Sequence, residues 1–237
     1  MFNNSKYGNI LTVILIITII AILGIVVVIG YRIYSAYSIE TGAEQAVTEF
    51  EQNLQQNQGD INNNVVEEEQ NNIKQDISTG IEGTTSESVL GNSSSTNQST
   101  QTTTKYKGFT VVGTIQIPAI NLKYPILEKL SKKSLETSVV LLYTSQGLNK
   151  EGNSVIIGHN YRNGTMFSNV KKLSNGDYIY ITDDSGQKVR YIVYNIYRAS
   201  GSESDYITRN TNGKREISLS TCTDDSKART IVLAKES

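Results

Sequence analysis

Cys222 is the only cysteine in this 237-residue chain and His159 the only histidine. Each closes an apolar, strand-like run: Ser154-Val-Ile-Ile-Gly158-His159 in one case, Ile217-Ser-Leu-Ser-Thr221-Cys222 in the other. Arg229 opens a third such run, Arg229-Thr-Ile-Val-Leu-Ala234. A thiol, an imidazole and a guanidinium at strand edges can supply the nucleophile, proton carrier and anion stabiliser of an acyl transfer. A free thiol is largely protonated at neutral pH, so nearby cations must favour the thiolate before it attacks a carbonyl. Arginine stays protonated, which suits Arg229 to developing oxyanion charge or a substrate backbone and excludes it as a base. His159 is then the imidazole available to protonate a leaving amine and deprotonate an incoming one. Each residue also has a plainer reading: a small buried hydrophobe, a structural hydrogen-bonding histidine, an arginine covering apolar surface or pairing with Asp224 or Asp225.

The elements that must position these groups are mostly strands. Phe109-Thr-Val-Val-Gly-Thr-Ile-Gln-Ile117 ends at Pro118, and Leu122-Lys-Tyr-Pro-Ile-Leu127 follows. Ser131 to Leu142 reads as a helix, Val155–Gly158 as a strand and Met166–Leu173 as a short helix. Strands are predicted at Tyr178–Thr182 and Val189–Arg198, the first alternating as a strand with one buried face does. Ser200 to Lys214 is polar and reads as a loop, before the strands that carry Cys222 and Arg229. Seven to eight strands with a few short helices predict a mainly β fold, a closed or partly closed barrel.

Ile10 to Ile29 is apolar apart from Thr12 and Thr18. At about 1.5 Å per residue it spans roughly 30 Å, the thickness of a bilayer's hydrocarbon core. It is longer than the apolar region of a cleaved signal peptide, so residues 10–30 read as a retained transmembrane helix after a short segment, 1–9. Lys6 and the amino terminus on one side, against Arg32 on the other, lean toward a cytoplasmic N-terminus. Ile39, Ala43, Ala46, Val47, Phe50 and Leu54 recur at helical spacing, and residues 31–54 read as an amphipathic helical stalk surrounded by solvent. Residues 55–106 are rich in Asn, Gln, Ser, Thr and Glu, too polar to offset the entropy of ordering, and read as a disordered acidic linker. Some fifty flexible residues would reach about 40 Å. From Ile33 to Thr104 one cation faces eleven acids, whereas from Lys105 onward nineteen cations face twelve. An acidic tether therefore carries a basic domain, without the aromatic and basic clustering of a nucleic-acid platform. A single cysteine excludes an internal disulfide.

Ser218-Leu-Ser-Thr-Cys222 with Arg229 resembles the sortase signature, a Thr-Leu-x-Thr-Cys followed by a downstream arginine, and Gly158-His159-Asn160 resembles its histidine motif. Gly113-Thr-Ile-Gln-Ile-Pro118 with Tyr124-Pro-Ile126 is similar to the family's opening strands, and Met166-Phe167 to Gly176-Asp177 to the segment after its histidine. Ser218 replaces the usual threonine and keeps a hydroxyl. The resemblance implies a membrane-anchored cysteine transpeptidase of Gram-positive bacteria, its barrel at 107–237 outside the cell membrane. Such an enzyme cleaves a Leu-Pro-x-Thr-Gly-like sorting signal after the threonine. Carried over by motif, Cys222 forms the thioacyl intermediate, His159 is acid and base, and Arg229 stabilises substrate or oxyanion. Surface proteins bearing the signal are the implied donors, and an amine of a peptidoglycan precursor or a pilin the acceptor.

The class A or D-like pattern fits best, although Gly158-His-Asn-Tyr-Arg-Asn-Gly-Thr-Met-Phe167 resembles class B. Thr221 is expected to shape the pocket or to pack the strand. Tyr206 and Ile207, the apolar exceptions of the 200–214 loop, are expected either to contact the signal's leucine or proline or to anchor the loop. Glu203 and Asp205 are too few for the calcium site of some relatives, so neither metal nor cofactor is expected. Two other readings compete: a membrane-tethered barrel that only binds envelope components, and a cysteine peptidase releasing its product to water. Papain-like peptidases place cysteine before histidine in the chain, the reverse of the order here.

Overall fold

The computed structural model describes residues 4–75 and 103–237, and one helix and nine strands account for most of them. Helix α1, Asn4–Gln75, is continuous through the apolar run. It is long and apolar enough to cross a membrane, and the side chains of Ile10 to Ile29 are exposed. The helix continues to Gln75, beyond the start expected for the linker at 55; Gln and Glu, good helix formers, recur there and no proline interrupts it. The remainder of that linker, 76–102, lies outside the described residues.

The folded part starts at β1, Lys105–Tyr106, slightly ahead of the expected 107. It continues through β2, Phe109–Ile117, and β3, Leu122–Leu127. Helix α2, Lys132–Thr137, has a capping box in which the Ser131 side chain accepts from Ser134 N, but it is shorter than predicted. The next residues form strand β4, Val139–Thr144. The β-branched pair Val139-Val140 is fully buried beside β3, and the Ser138 hydroxyl donates to the Pro125 carbonyl at 2.6 Å, so tertiary pairing overrides a helical reading there. Strands β5, Gly152–Ile157, β6, Tyr178–Asp183, β7, Lys188–Ser200, β8, Arg215–Cys222, and β9, Ala228–Glu236, complete the set. A 3-10 helix at Phe167–Lys172 replaces the short helix expected there.

The strand order is β1-β2-β3-β4-β5-β8-β9-β7-β6, and pairing of β6 with β2 closes an eight-stranded barrel. Closure removes the free edges that β2 and β6 would otherwise expose. Ile115, Ile117, Ile126, Ile156, Ile179, Ile181 and Leu219 fill the interior. Burying each such side chain contributes about 1.5–3 kcal/mol.

The stalk is not solvated. Ala43, Ala46, Val47 and Phe50, at helical spacing, are at most 4% exposed. Ala46 and Phe50 pack with Tyr106, Val111, Leu127 and Val140 on the outer wall of β2, β3 and β4. That wall is apolar and needs a cover, which is why the stripe docks. Lys123 pairs with Glu51 at 3.3 Å and Asn53 donates to the Thr104 hydroxyl at 3.0 Å, polar contacts at the margin of the apolar one.

Candidate active site

The parallel ladder of β5 and β8 runs from Gly152 opposite Arg215 to Ile157 opposite Ser220. Two residues further along each chain stand His159 and Cys222. On the other side of β8, the antiparallel ladder with β9 sets Cys222 opposite Arg229. Directly paired residues project to the same face of a sheet. Cys222 and Arg229 are therefore neighbours on one face, and His159 follows the end of β5, the strand that flanks β8 on its other side.

Short polar contacts hold this edge. Gly158 N donates to Ser220 O at 3.2 Å, and the Thr221 hydroxyl to Gly158 O at 2.8 Å. Thr221 is 2% exposed, and its hydroxyl ties the strand of Cys222 to the residue before His159. Asn160 then clamps the loop: Nδ2 donates to Cys222 O at 3.0 Å and to Asp224 Oδ1 at 2.9 Å, while Oδ1 accepts from Arg162 N at 3.0 Å. Lys171 pairs with Asp224. That hydrogen bond, and next the one from Asn160, hold the Asp224 carboxyl below the usual carboxylate range.

Gly158 is required by close approach. A Cβ there would stand 2.9 Å from the ring of fully buried Phe167 and 3.0 Å from Val139 Cγ1. The loop after His159 is tight: Arg162 and Met166 have φ of 58° and 48°, and Met166 N donates to the Tyr124 hydroxyl at 3.0 Å.

Cys222 is half-buried, the condition of a thiol that is sheltered yet reachable. The His159 ring lies 5.0 Å from that of Tyr161, centroid to centroid. Burial lowers the His159 pKa below its ordinary value, opposed by the field of the Glu136 carboxylate. The sequence reading missed Glu136, which lies on α2 with no local signal, and left Asn160 inside a motif without a role.

The 201–214 loop leans on an apolar cluster beside this edge. Tyr206 is 4% exposed and packs with Val155, Ala199, Ile231 and Leu233. Its carbonyl accepts from Asn153 Nδ2 at 2.8 Å, and its hydroxyl accepts from Ser220 at 3.3 Å. Tyr206 is thus the anchor of the loop, whereas Ile207 is only half-buried against the same cluster. Arg209 secures the loop further, pairing with Glu216 and donating to Tyr194 Oη at 3.0 Å and Asn153 Oδ1 at 3.1 Å. Among the described residues no group of three or more His, Cys, Asp or Glu is placed to hold a metal.

A closed barrel that presents a thiol, an imidazole and a guanidinium on three adjacent strand ends defines a narrow class of protein. The Sortase domain family model matches residues 115–237, just over half of the chain, and the chain belongs to the sortase family. It is 31% identical over 113 residues to sortase A of Bacillus anthracis, an alignment covering 47% of this chain and 52% of that protein. Sortase A of Streptococcus agalactiae is 25% identical over 138 residues, covering 56% and 55%. The chain thus spans about half the length of these curated relatives. Among solved structures, sortase C-1 from Actinomyces oris superposes with a TM-score of 0.50 at 28% identity, covering 54% of this chain and 72% of that one.

Proposed function

We propose that this protein is a cysteine transpeptidase anchored by α1, with Cys222 as nucleophile, His159 as proton carrier and Arg229 as anion stabiliser. The observation that supports this reading is Cys222 opposite Arg229 in the β8–β9 ladder, with His159 two residues beyond the end of the β5–β8 ladder. The thiolate of Cys222 attacks the threonine carbonyl of a Leu-Pro-x-Thr-Gly-like signal, and Arg229 stabilises the tetrahedral oxyanion. His159 donates a proton to the departing glycine amine, leaving a thioester on Cys222. An incoming amine, from a peptidoglycan precursor or a pilin, gives a proton to His159 and displaces the thiol. The apolar cluster under the 201–214 loop, with half-buried Ile207 at its margin, suits the leucine and proline of the signal. The donors are surface proteins that carry such a signal. In this reading α1 crosses the cell membrane with its N-terminus in the cytoplasm and the barrel outside.

The test incubates the full chain in detergent micelles with a Leu-Pro-x-Thr-Gly peptide and an amine, followed by mass spectrometry. The expected product is the threonyl adduct of the amine, absent with Cys222→Ala. Equal product from wild type and Cys222→Ala overturns the proposal. Free acid as the sole product under excess amine replaces it with a hydrolase.

A further inference from the structure

The contacts of α1 with the barrel extend to the end that carries Cys222. A shallow cavity of about 360 Å³ is lined by Arg32, Ile33, Ala36, Tyr37 and Glu40 of α1 and by Asn163 of the loop that follows His159. Asn163 is three residues from Asn160, whose side chain holds the Cys222 carbonyl. Further along α1, Asn53 meets Thr104, and Leu54 and Asn57 line a second cavity with Thr110, Glu128 and Asp184. Since α1 is unbroken, these contacts are a ruler at about 1.5 Å per residue. From Ile29, where the exposed apolar run ends, Ala36 and Glu40 lie roughly 10–16 Å outward. Leu54 lies about 27 Å beyond Ala36.

The first turns of α1 beyond the apolar run carry exposed Tyr31, Tyr34 and Tyr37, the residue type that collects at membrane interfaces. Arg32 on the same segment, Arg162 in the loop after His159 and Lys227 in the turn after Cys222 are also exposed. These cations suit the anionic headgroups of a lipid surface.

We infer that the docked helix holds the Cys222 edge at the bilayer surface, so that it takes polypeptide segments and amines presented there and does not range outward on a tether. The 76–102 segment then joins the end of α1 to a barrel that α1 already holds, and does not set its distance from the membrane. The placement rests on the reading that α1 spans a membrane, and its catalytic consequence on the proposed function.

Fluorescence quenching tests the placement without any activity. The full chain with Cys222→Ala is labelled with bimane at one introduced cysteine, Tyr34→Cys, Tyr161→Cys or Asp184→Cys. It is then placed in phosphatidylglycerol-containing vesicles with nitroxide on the lipid headgroups. Strong quenching is expected at positions 34 and 161 and several-fold less at 184. Equal quenching at 161 and 184 overturns the inference, and no quenching at 34 removes the span and the inference together. A second arm uses the unlabelled chain in nitroxide-free vesicles, with the same sorting peptide either free or lipid-anchored. Preference for the anchored peptide should fall at least tenfold when about a dozen Gly-Ser residues are inserted between Tyr37 and Ser38. An unchanged preference counts against the inference. Inactivity on both peptides strikes the proposed function and leaves the quenching result standing.

Discussion

The end of the barrel that carries Cys222 and the wall that receives α1 are built from opposite materials. The first is polar: hydrogen bonds from Gly158, Asn160 and Thr221 knit the ends of β5 and β8 together. The second is apolar: Ala46 and Phe50 against Tyr106, Val111, Leu127 and Val140. Hydrogen bonds are directional and fix groups to fractions of an ångström, as chemistry requires. Apolar burial is non-directional but large, which suits an attachment that places a whole domain. The difference teaches that precision and placement are separate tasks here, so substitutions in the two regions should separate activity from stability.

The largest expected effect is at the edge: Cys222→Ala should lower adduct formation by at least about three orders of magnitude, because no other thiol exists, with unfolding by denaturant nearly unchanged. Arg229→Ala should lower kcat by about 10²–10³-fold, as loss of one oxyanion donor does, and a loss below tenfold would remove the guanidinium from that role. On the docking wall, Phe50→Ala should cost about 3–5 kcal/mol in denaturant unfolding of the full chain in micelles. Its rate on a soluble peptide, measured where the chain is folded, should stay within a few-fold of wild type, and a collapse of that rate would merge the two tasks. Asn160→Ala should lower kcat about tenfold while costing only about 0.5–1.5 kcal/mol of stability.

The smallest effect concerns pH. The folded pKa of His159 lies below its ordinary value because of burial. As pH falls through about 6.5 the unfolded chain takes up the proton first, so stability declines until His159 itself protonates in the folded protein. Thermal melts between pH 7.5 and 5 should show this decline shrinking in His159→Gln.

Much of this was legible in the chain. Apolar runs announce β2, β3 and β9, an alternating run announces β6, and two unique reactive residues at strand ends announce the site. The stripe from Ile39 to Leu54 was visible, but its destination was not: the wall that covers it is assembled from Tyr106, Val111, Leu127 and Val140, more than fifty residues away. The same non-locality turned residues 139–142 from helix to strand, because pairing with β3 and β5 outweighs local propensity. It also gave Tyr206, read from sequence as either a signal contact or a loop anchor, its place in the cluster under the loop, and gave Thr221 a partner in the Gly158 carbonyl.

The sequence by itself determined which groups can react, that they sit at strand ends, and that an apolar helix of membrane length precedes them. These are properties of residue type and local period, which neighbours along the chain decide. Only the tertiary structure decided that β5, β8 and β9 are adjacent, that Cys222 faces Arg229, and that α1 packs on the barrel with its first exposed turns beside the loop of His159. Those facts depend on ladder register and on burial between distant segments, and neither is written in the order of residues within any one of them.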